Sequence, residues 1–453
     1  MSEHNKDNHN FEFIKEQVIV KKHKKIKKWL LPFLMTIIMA ILFGIIAAVT
    51  FCIAEPKLYR FLHKDQKEKT PITFPTTYPD ETEEETKVEA KEESSDNTQD
   101  DLDPGNGQVE EGMQEPEQVI VEQSIDADIE DYKSMYDDIK SIAYNSGKSI
   151  VKLCSIINEK DWFGNPVERE IKTTGLVIGN NSRELLILVS FDRVEDASSI
   201  KILFSETITA SALLQDYERE LNLAIIAVSL EDIPEIYLNS IKNATLGESY
   251  SITIGSPVIA LGSPNGHPGS IDVGIVTSRG SSISITDNRL DLFNTDITDN
   301  AKSDGVIINL NGEVIGIITR TLKDDLNKEL STAIGISKVK AIIQRMANQE
   351  PRVYFGVISN DMTEVAKLEY KVENGIYVDV VKANSPAFKS GIKNGDIIIE
   401  VNGQPVVSTN RFYNIISEYQ PGQLIDVKIK RTSSSTEKEL NLSVTLEAKV
   451  EEE

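Results

Sequence analysis

Cysteine is nearly absent: the 453 residues contain two, Cys52 and Cys154. Two are too few for a disulfide framework. One falls in an apolar run and the other in a region of short strands, so the folded part must rely on its own apolar cores. Histidine is almost as scarce. Four of the five (His4, His9, His23 and His63) precede any region that reads as folded, which leaves His267. Positive charge is outweighed, with 48 basic against 72 acidic residues and a net charge of −24. That balance excludes nucleic acid as a partner, because phosphate contacts need a basic face. No glycine-rich phosphate loop and no cluster with metal-ligand spacing occurs, so no cofactor is expected.

What is present divides along the chain. Residues 1–28 form a basic tail ending in Lys21-Lys22-His23-Lys24-Lys25-Ile26-Lys27-Lys28. Residues 29–54 then contain no charged side chain. A helix of that length crosses the ~30 Å hydrocarbon core with room for tilt. The run is longer than the apolar part of a cleaved signal peptide, and Phe51 is too bulky for a lipoprotein cleavage site before Cys52. The lysines precede the span, so the N-terminus is expected in the cytoplasm and the remainder outside it. Residues 55–138 are rich in Glu, Asp, Thr, Pro and Gly. They cannot bury enough apolar surface to offset their ordering entropy, and read as an extended acidic stalk.

From 139 to 348 the pattern changes to short β-type runs broken by Gly and Asn. Among them are Ser149–Ile157, Gly175–Gly179, Leu185–Ser190, Asn222–Val228, Val258–Gly262 and Glu313–Thr319, followed by a helix-like run from Ser337 to Asn348. Such spacing predicts a barrel or sandwich. Residues 352–447 read as a separate small domain of strands and helices.

Several motifs in fixed order carry a resemblance. Thr174-Gly175-Leu176-Val177-Ile178, Leu261-Gly262-Ser263-Pro264-Asn265-Gly266, Gly274-Ile275-Val276, Thr295-Asp296 and Asn309-Leu310-Asn311-Gly312-Glu313 occur in turn. The last domain adds Tyr354-Phe355-Gly356-Val357, Ala383-Asn384-Ser385-Pro386-Ala387 and Gly391-Ile392-Lys393-Asn394-Gly395-Asp396. Together they resemble the HtrA/DegP family of trypsin-like serine proteases over about two-thirds of the chain. The resemblance implies a mainly β chain, with a trypsin-like double β-barrel followed by a PDZ domain behind the N-terminal transmembrane helix. Members of the family often assemble as trimers, so a homo-oligomer is a further expectation.

The same resemblance locates the catalytic positions. Ala301-Lys302-Ser303-Asp304-Gly305 stands where the family has its nucleophile motif, so Ser303 takes the nucleophile position. Asp192, after Ile187-Leu188-Val189-Ser190-Phe191, takes the place of the histidine. Asn222, before Leu223-Ala224-Ile225, takes the place of the orienting aspartate. A serine protease needs an imidazole base and a carboxylate behind it. A carboxylate with a pKa of ~4 barely activates a hydroxyl. Losing the serine or the histidine of such a triad alone costs ~10⁶-fold in turnover. Ala301 and Asp304 also spoil the oxyanion site, by a Cβ and by negative charge. Lys302 as a substitute base would need burial to lower its pKa, and His267 reads as a surface-loop residue.

Residues Tyr354, Phe355, Gly356 and Val357 occupy the position of the PDZ loop that holds a terminal carboxylate on backbone N–H groups. Three readings follow. The first is a membrane-tethered pseudoprotease that binds unfolded or C-terminal peptides. The second is a serine endopeptidase of protein quality control using Ser303 with a non-standard base. The third is a structural surface protein.

Overall fold

The computed structural model describes residues 35, 39–41, 43, 69–75, 128–323, 329–433 and 436–450. The chain divides into two units, Met1–Lys67 and Glu68–Glu453. The barrels and the C-terminal domain lie in the second. The expected transmembrane segment, 29–54, falls almost wholly outside the described residues. Among the described residues no helix is long and apolar enough to cross a membrane.

The first barrel contains β1 (Ile150–Lys160), β2 (Pro166–Asn180), β3 (Glu184–Ser190), β4 (Ser199–Leu203), β5 (Thr209–Glu218) and β6 (Leu223–Ser229). They close in the order β1-β2-β3-β6-β5-β4. The second contains β7 (Pro257–Ser263), β8 (Ser270–Ile285), β9 (Asn288–Thr298), β10 (Asp304–Ile308), β11 (Val314–Thr319) and β12 (Leu330–Gly335). It closes as β10-β11-β12-β9-β8-β7. Successive residues of a strand point to opposite faces, so burial of both faces makes residues 185–189 of β3 and 223–228 of β6 continuous apolar runs. Leu185, Ile187 and Val189 fill the first barrel with Ala224 and Ile226. The residues between them (Leu186, Leu188, Leu223 and Ile225) turn outward into a core shared with Ile259, Leu261 and Val306 of the second barrel. Both faces of these strands are therefore buried.

Among the described residues, helices α1 (Ile129–Gly147), the single turn α2 (Glu235–Leu238) and α3 (Ile336–Asn348) flank the barrels. Helix α1 begins inside the stretch read as stalk. Asp128 accepts from the backbone of Glu130 and Asp131 while Asp131 caps Asp128 in return, a capping box that supports an otherwise polar helix. Its buried contact with the barrels is Ala143. Residues 69–75 depart from the stalk reading too. Ile72 is buried, and its N–H and C=O bond the Asn348 side chain, each at 2.8 Å. Two backbone groups that an apolar side chain carries out of water are thus satisfied by one amide. Helix α3 buries Val339, Ile343 and Met346 on one face, the i, i+4, i+7 spacing of a packed helix.

The C-terminal domain contains β13 (Val353–Tyr354), β14 (Val357–Asp361), α4 (Glu364–Tyr370), β15 (Ile376–Val381) and α5 (Pro386–Ser390). It continues with β16 (Ile397–Val401), β17 (Gln404–Pro405), α6 (Thr409–Ser417), β18 (Leu424–Ser433), β19 (Thr436–Thr445) and β20 (Glu447–Ala448). Its main sheet runs β14-β15-β16-β18-β19 with β17 on β16, which leaves β14 at an edge. Phe355, Phe412, Ile415 and Val427 lie in its core.

The domain is tied to the barrels through Glu218 at the end of β5, whose side chain is 1% exposed. Its carboxylate pairs with Arg352 at 2.5 Å and Lys449 at 2.8 Å, and lies 3.7 Å from Arg345. These cations stand just before β13, just after β20 and on α3. One carboxylate thereby holds both ends of the C-terminal domain and its connecting helix.

Candidate functional site

The positions singled out in the barrels meet where the two barrels face each other. β3 ends at Ser190 and turns through a 3₁₀ segment, Phe191–Arg193, which presents Asp192. Asn222 follows another such turn in left-handed backbone, with φ 55°, a conformation asparagine tolerates better than most residues. Its Oδ1 accepts from the Asp192 N–H at 2.8 Å, and its Nδ2 donates to Asp192 Oδ1 at 3.1 Å. The two residues are therefore hydrogen-bonded partners, though neither can act as an imidazole.

Two arginines complete this side of the cleft. Arg320, after β11, donates to Asp192 Oδ2 at 2.6 Å and to the Ala301 carbonyl at 2.9 Å. Arg193 reaches the same carbonyl at 3.3 Å. The loop before β10 is thus pinned to the turn after β3, and Asp192 is engaged by a guanidinium.

Ser303 is also brought to this cleft, but it faces inward. It is 1% exposed. Its hydroxyl donates to the Pro264 carbonyl at 2.5 Å and accepts from the Asn300 N–H at 2.9 Å. Among the described residues His267 is the one histidine, and it is exposed in the turn between β7 and β8. Lys302 is exposed as well. Neither partners the Ser303 hydroxyl.

The residue that sequence reasoning underrated is Asp304. Read as a charge beside an oxyanion site, it instead turns into the seam between the barrels. There it accepts from Thr173 at 2.8 Å, Ser190 at 2.7 Å and the Gly305 N–H at 2.8 Å. Burial pushes its carboxyl above the ordinary value, opposed by the Ser190 and Thr173 hydroxyls and the Arg193 and Arg320 charges. Gly305 is required beside it: φ is +125°, and a Cβ would lie 2.1 Å from the Leu261 carbonyl oxygen. A cavity of about 20 Å³ remains at Thr174, Ser190 and Asp304. That is room for about one water.

In the C-terminal domain Tyr354–Val357 links β13 to β14. Gly356 has φ +92°, and a Cβ there would lie 2.1 Å from Ser385 Cβ. Three consecutive N–H groups, of Phe355, Gly356 and Val357, converge on the carboxylate of Asp287 at 2.8–3.0 Å. Consecutive backbone N–H groups in such a turn make an anion-binding concavity. Asp287 carried no local signal in the sequence, since its partners lie 68–70 residues further on.

A family model for the trypsin-like peptidase domain matches residues 173–317, and one for the PDZ domain matches residues 313–446. Probable periplasmic serine endoproteases, DegP-like, from Chlamydia trachomatis and Rickettsia prowazekii are 29% and 31% identical over 294 and 281 residues. These matches cover 61% and 60% of this chain and 56% and 52% of the relatives. The chain carries a trypsin-like peptidase domain followed by a PDZ domain and is similar to HtrA-like proteases. A serine protease HtrA-like of Staphylococcus aureus is 26% identical, over 60% of this chain and 37% of that one. The HtrA-like chain spans about half the length of the curated relatives it matches. In three dimensions it resembles the HtrA-type protease AlgW with decapeptide, at a TM-score of 0.52 and 19% identity. That likeness covers 69% of this chain and 99% of AlgW, and shows the shared fold.

Proposed function

We propose that this HtrA-like chain is a membrane-anchored, extracytoplasmic peptide reader without proteolytic activity. The observation that carries the reading is the Ser303 hydroxyl, buried and spent on the Pro264 carbonyl and the Asn300 N–H. A nucleophile must present its oxygen to substrate and its proton to a base. Here the proton lies on a backbone carbonyl. The positions of the histidine and aspartate hold a carboxylate and an amide bound to each other, and the carboxylate also takes Arg320.

The C-terminal domain keeps what a peptide reader needs: an edge strand, β14, beside a loop of three convergent N–H groups. An extended peptide adds to such an edge as a strand while its terminal carboxylate enters the loop. The decapeptide held by AlgW supports peptide as the ligand class. The basic 1–28 and uncharged 29–54 support a single span with the N-terminus in the cytoplasm. The periplasmic relatives support placing the folded domains beyond it.

The test uses the full-length chain in detergent, incubated with unfolded casein and with a fluorophosphonate serine probe, beside Ser303→Ala. Neither cleavage nor labelling is expected. Cleavage that disappears in Ser303→Ala overturns the reading.

A further inference from the structure

We propose that Asp287 is an internal ligand of the carboxylate loop, so that a peptide with a free C-terminus binds only by displacing the β8–β9 hairpin. The inference rests on the reader reading above and adds its regulation.

Asp287 stands in the two-residue turn of that hairpin, between Ile285 and Asn288, with φ 53°. Its carboxylate takes the same kind of bonds a chain terminus would take. Oδ2 accepts from Phe355 and Gly356, and Oδ1 from Gly356 and Val357. Its own N–H donates to the Val357 carbonyl at 2.9 Å, the first main-chain bond an added strand would make on β14.

The contact continues along the edge. Ser284 donates to Asn360 at 2.9 Å, and Arg289 is ion-paired with Asp361. The hairpin is therefore bonded to β14 at both ends, through the main chain at Val357 and through side chains at Asn360 and Asp361, along the edge an incoming peptide would need. Thr286 adds a further tie, its carbonyl accepting from Arg352 at 2.6 Å. An aspartate side chain differs from a chain terminus in one respect that matters: it is covalently attached. Its effective concentration is set by the chain, of the order of mM for a short tether. A competing peptide sees its affinity reduced by the fraction of molecules in which the loop is open.

The ligand chemistry follows. It is a free C-terminal carboxylate followed inward by an extended backbone, since both the N–H groups and the β14 edge must be satisfied once the hairpin leaves. A C-terminal amide lacks the charge that replaces Asp287.

The experiment measures fluorescence anisotropy of labelled decapeptides ending in Val, Leu, Phe or Ala, as free acids and as amides, on the full-length chain in detergent. Asp287→Asn is suited to the left-handed turn and removes the charge. Arg289→Ala weakens the same hairpin without touching the loop. Asp287→Asn is expected to bind at least one free-acid peptide about tenfold or more tighter than wild type. Arg289→Ala should fall between them, and the amides should stay weak throughout. Hydrogen exchange at Phe355, Gly356 and Val357 should speed up in Asp287→Asn without peptide. Equal affinity of wild type and both variants for a peptide that binds overturns the latch and leaves the reader standing. No binding by any of the three, each with a cooperative melt, overturns the reader and the latch with it.

Discussion

Ser303 Oγ lies 2.5 Å from the Pro264 carbonyl oxygen and gives its hydrogen there. The bond joins the loop before β10 to the turn after β7, so Ser303 acts as a strut between two loops of the second barrel. Replacing it by alanine leaves the buried Pro264 carbonyl and the part-buried Asn300 N–H without this partner. Ser303→Ala should lower stability by about 1–3 kcal/mol, the cost of orphaning buried polar groups. Denaturant unfolding of the full-length chain measures it. A protease with a surface-ready serine would instead lose turnover at little cost in stability.

Restoring the missing side chains should not restore cutting. In Asp192→His with Asn222→Asp, the Ser303 hydroxyl still faces Pro264, and Arg320 and Arg193 still pin the Ala301 carbonyl. Geometry comes before pKa for a base and its nucleophile. Casein turnover by the double variant should stay at the wild-type background. Turnover that rises and then vanishes on adding Ser303→Ala would show that the loop can reset.

The buried Asp304 carboxylate makes a prediction with a definite sign. Burial raises its pKa in the folded chain. The folded state therefore holds the proton to a higher pH than the unfolded state does. Stability from this group is present below the ordinary carboxylate value and declines as pH rises through the raised one. The side-chain amide of an Asp304→Asn variant cannot charge, and the Thr173 hydroxyl can turn to accept from it. That variant should be at least as stable as wild type at pH 7, with a margin that shrinks as pH falls. Unfolding titrations of both chains, from the ordinary carboxylate range up to neutral pH, read that difference.

How much of this could be read beforehand depended on what each residue touches. β3, β6 and β7 were legible because both faces are buried, which makes them continuous apolar runs. β2 was visible only from Gly175 onward. Its first part, Pro166–Lys172, is mostly exposed and pairs with β1 alone, so its side chains carry no alternation. β8 is interrupted by bulges at Val276/Ser278 and Arg279/Ser281, which break the period of two. Helix α1 had its signal in Asp128 and Asp131, masked by the acidic run around it. The resemblance singled out Asp192, Asn222 and Ser303, but the direction of the Ser303 hydroxyl has no trace in local sequence. Asp287 and Asp304 were hidden for the same reason: each is defined by partners distant in the chain. A carboxylate in a turn or beside a serine reads as solvated until the fold brings N–H groups to it.

Glu218 gives the opposite pH dependence to Asp304. Burial alone would raise its pKa, but the charges of Arg352 and Lys449 overcome that and hold it below the ordinary value of 4.5. Its contribution is therefore present above that value and is lost as pH falls through the lower, folded one. Protonation, or Glu218→Ala, leaves Arg352 and Lys449 without their shared partner at the root of the C-terminal domain. Breaking a buried pair from one side costs about 3–5 kcal/mol. Since both cations belong to the ends of that domain, the loss should fall on its docking rather than on the barrels. In Glu218→Ala the segment 349–352 between α3 and β13 should become the first site of limited proteolysis, while amides of β3 and β6 keep their hydrogen-exchange protection. If β3 and β6 lose protection together with that segment, the carboxylate supports the barrel itself and the docking role fails.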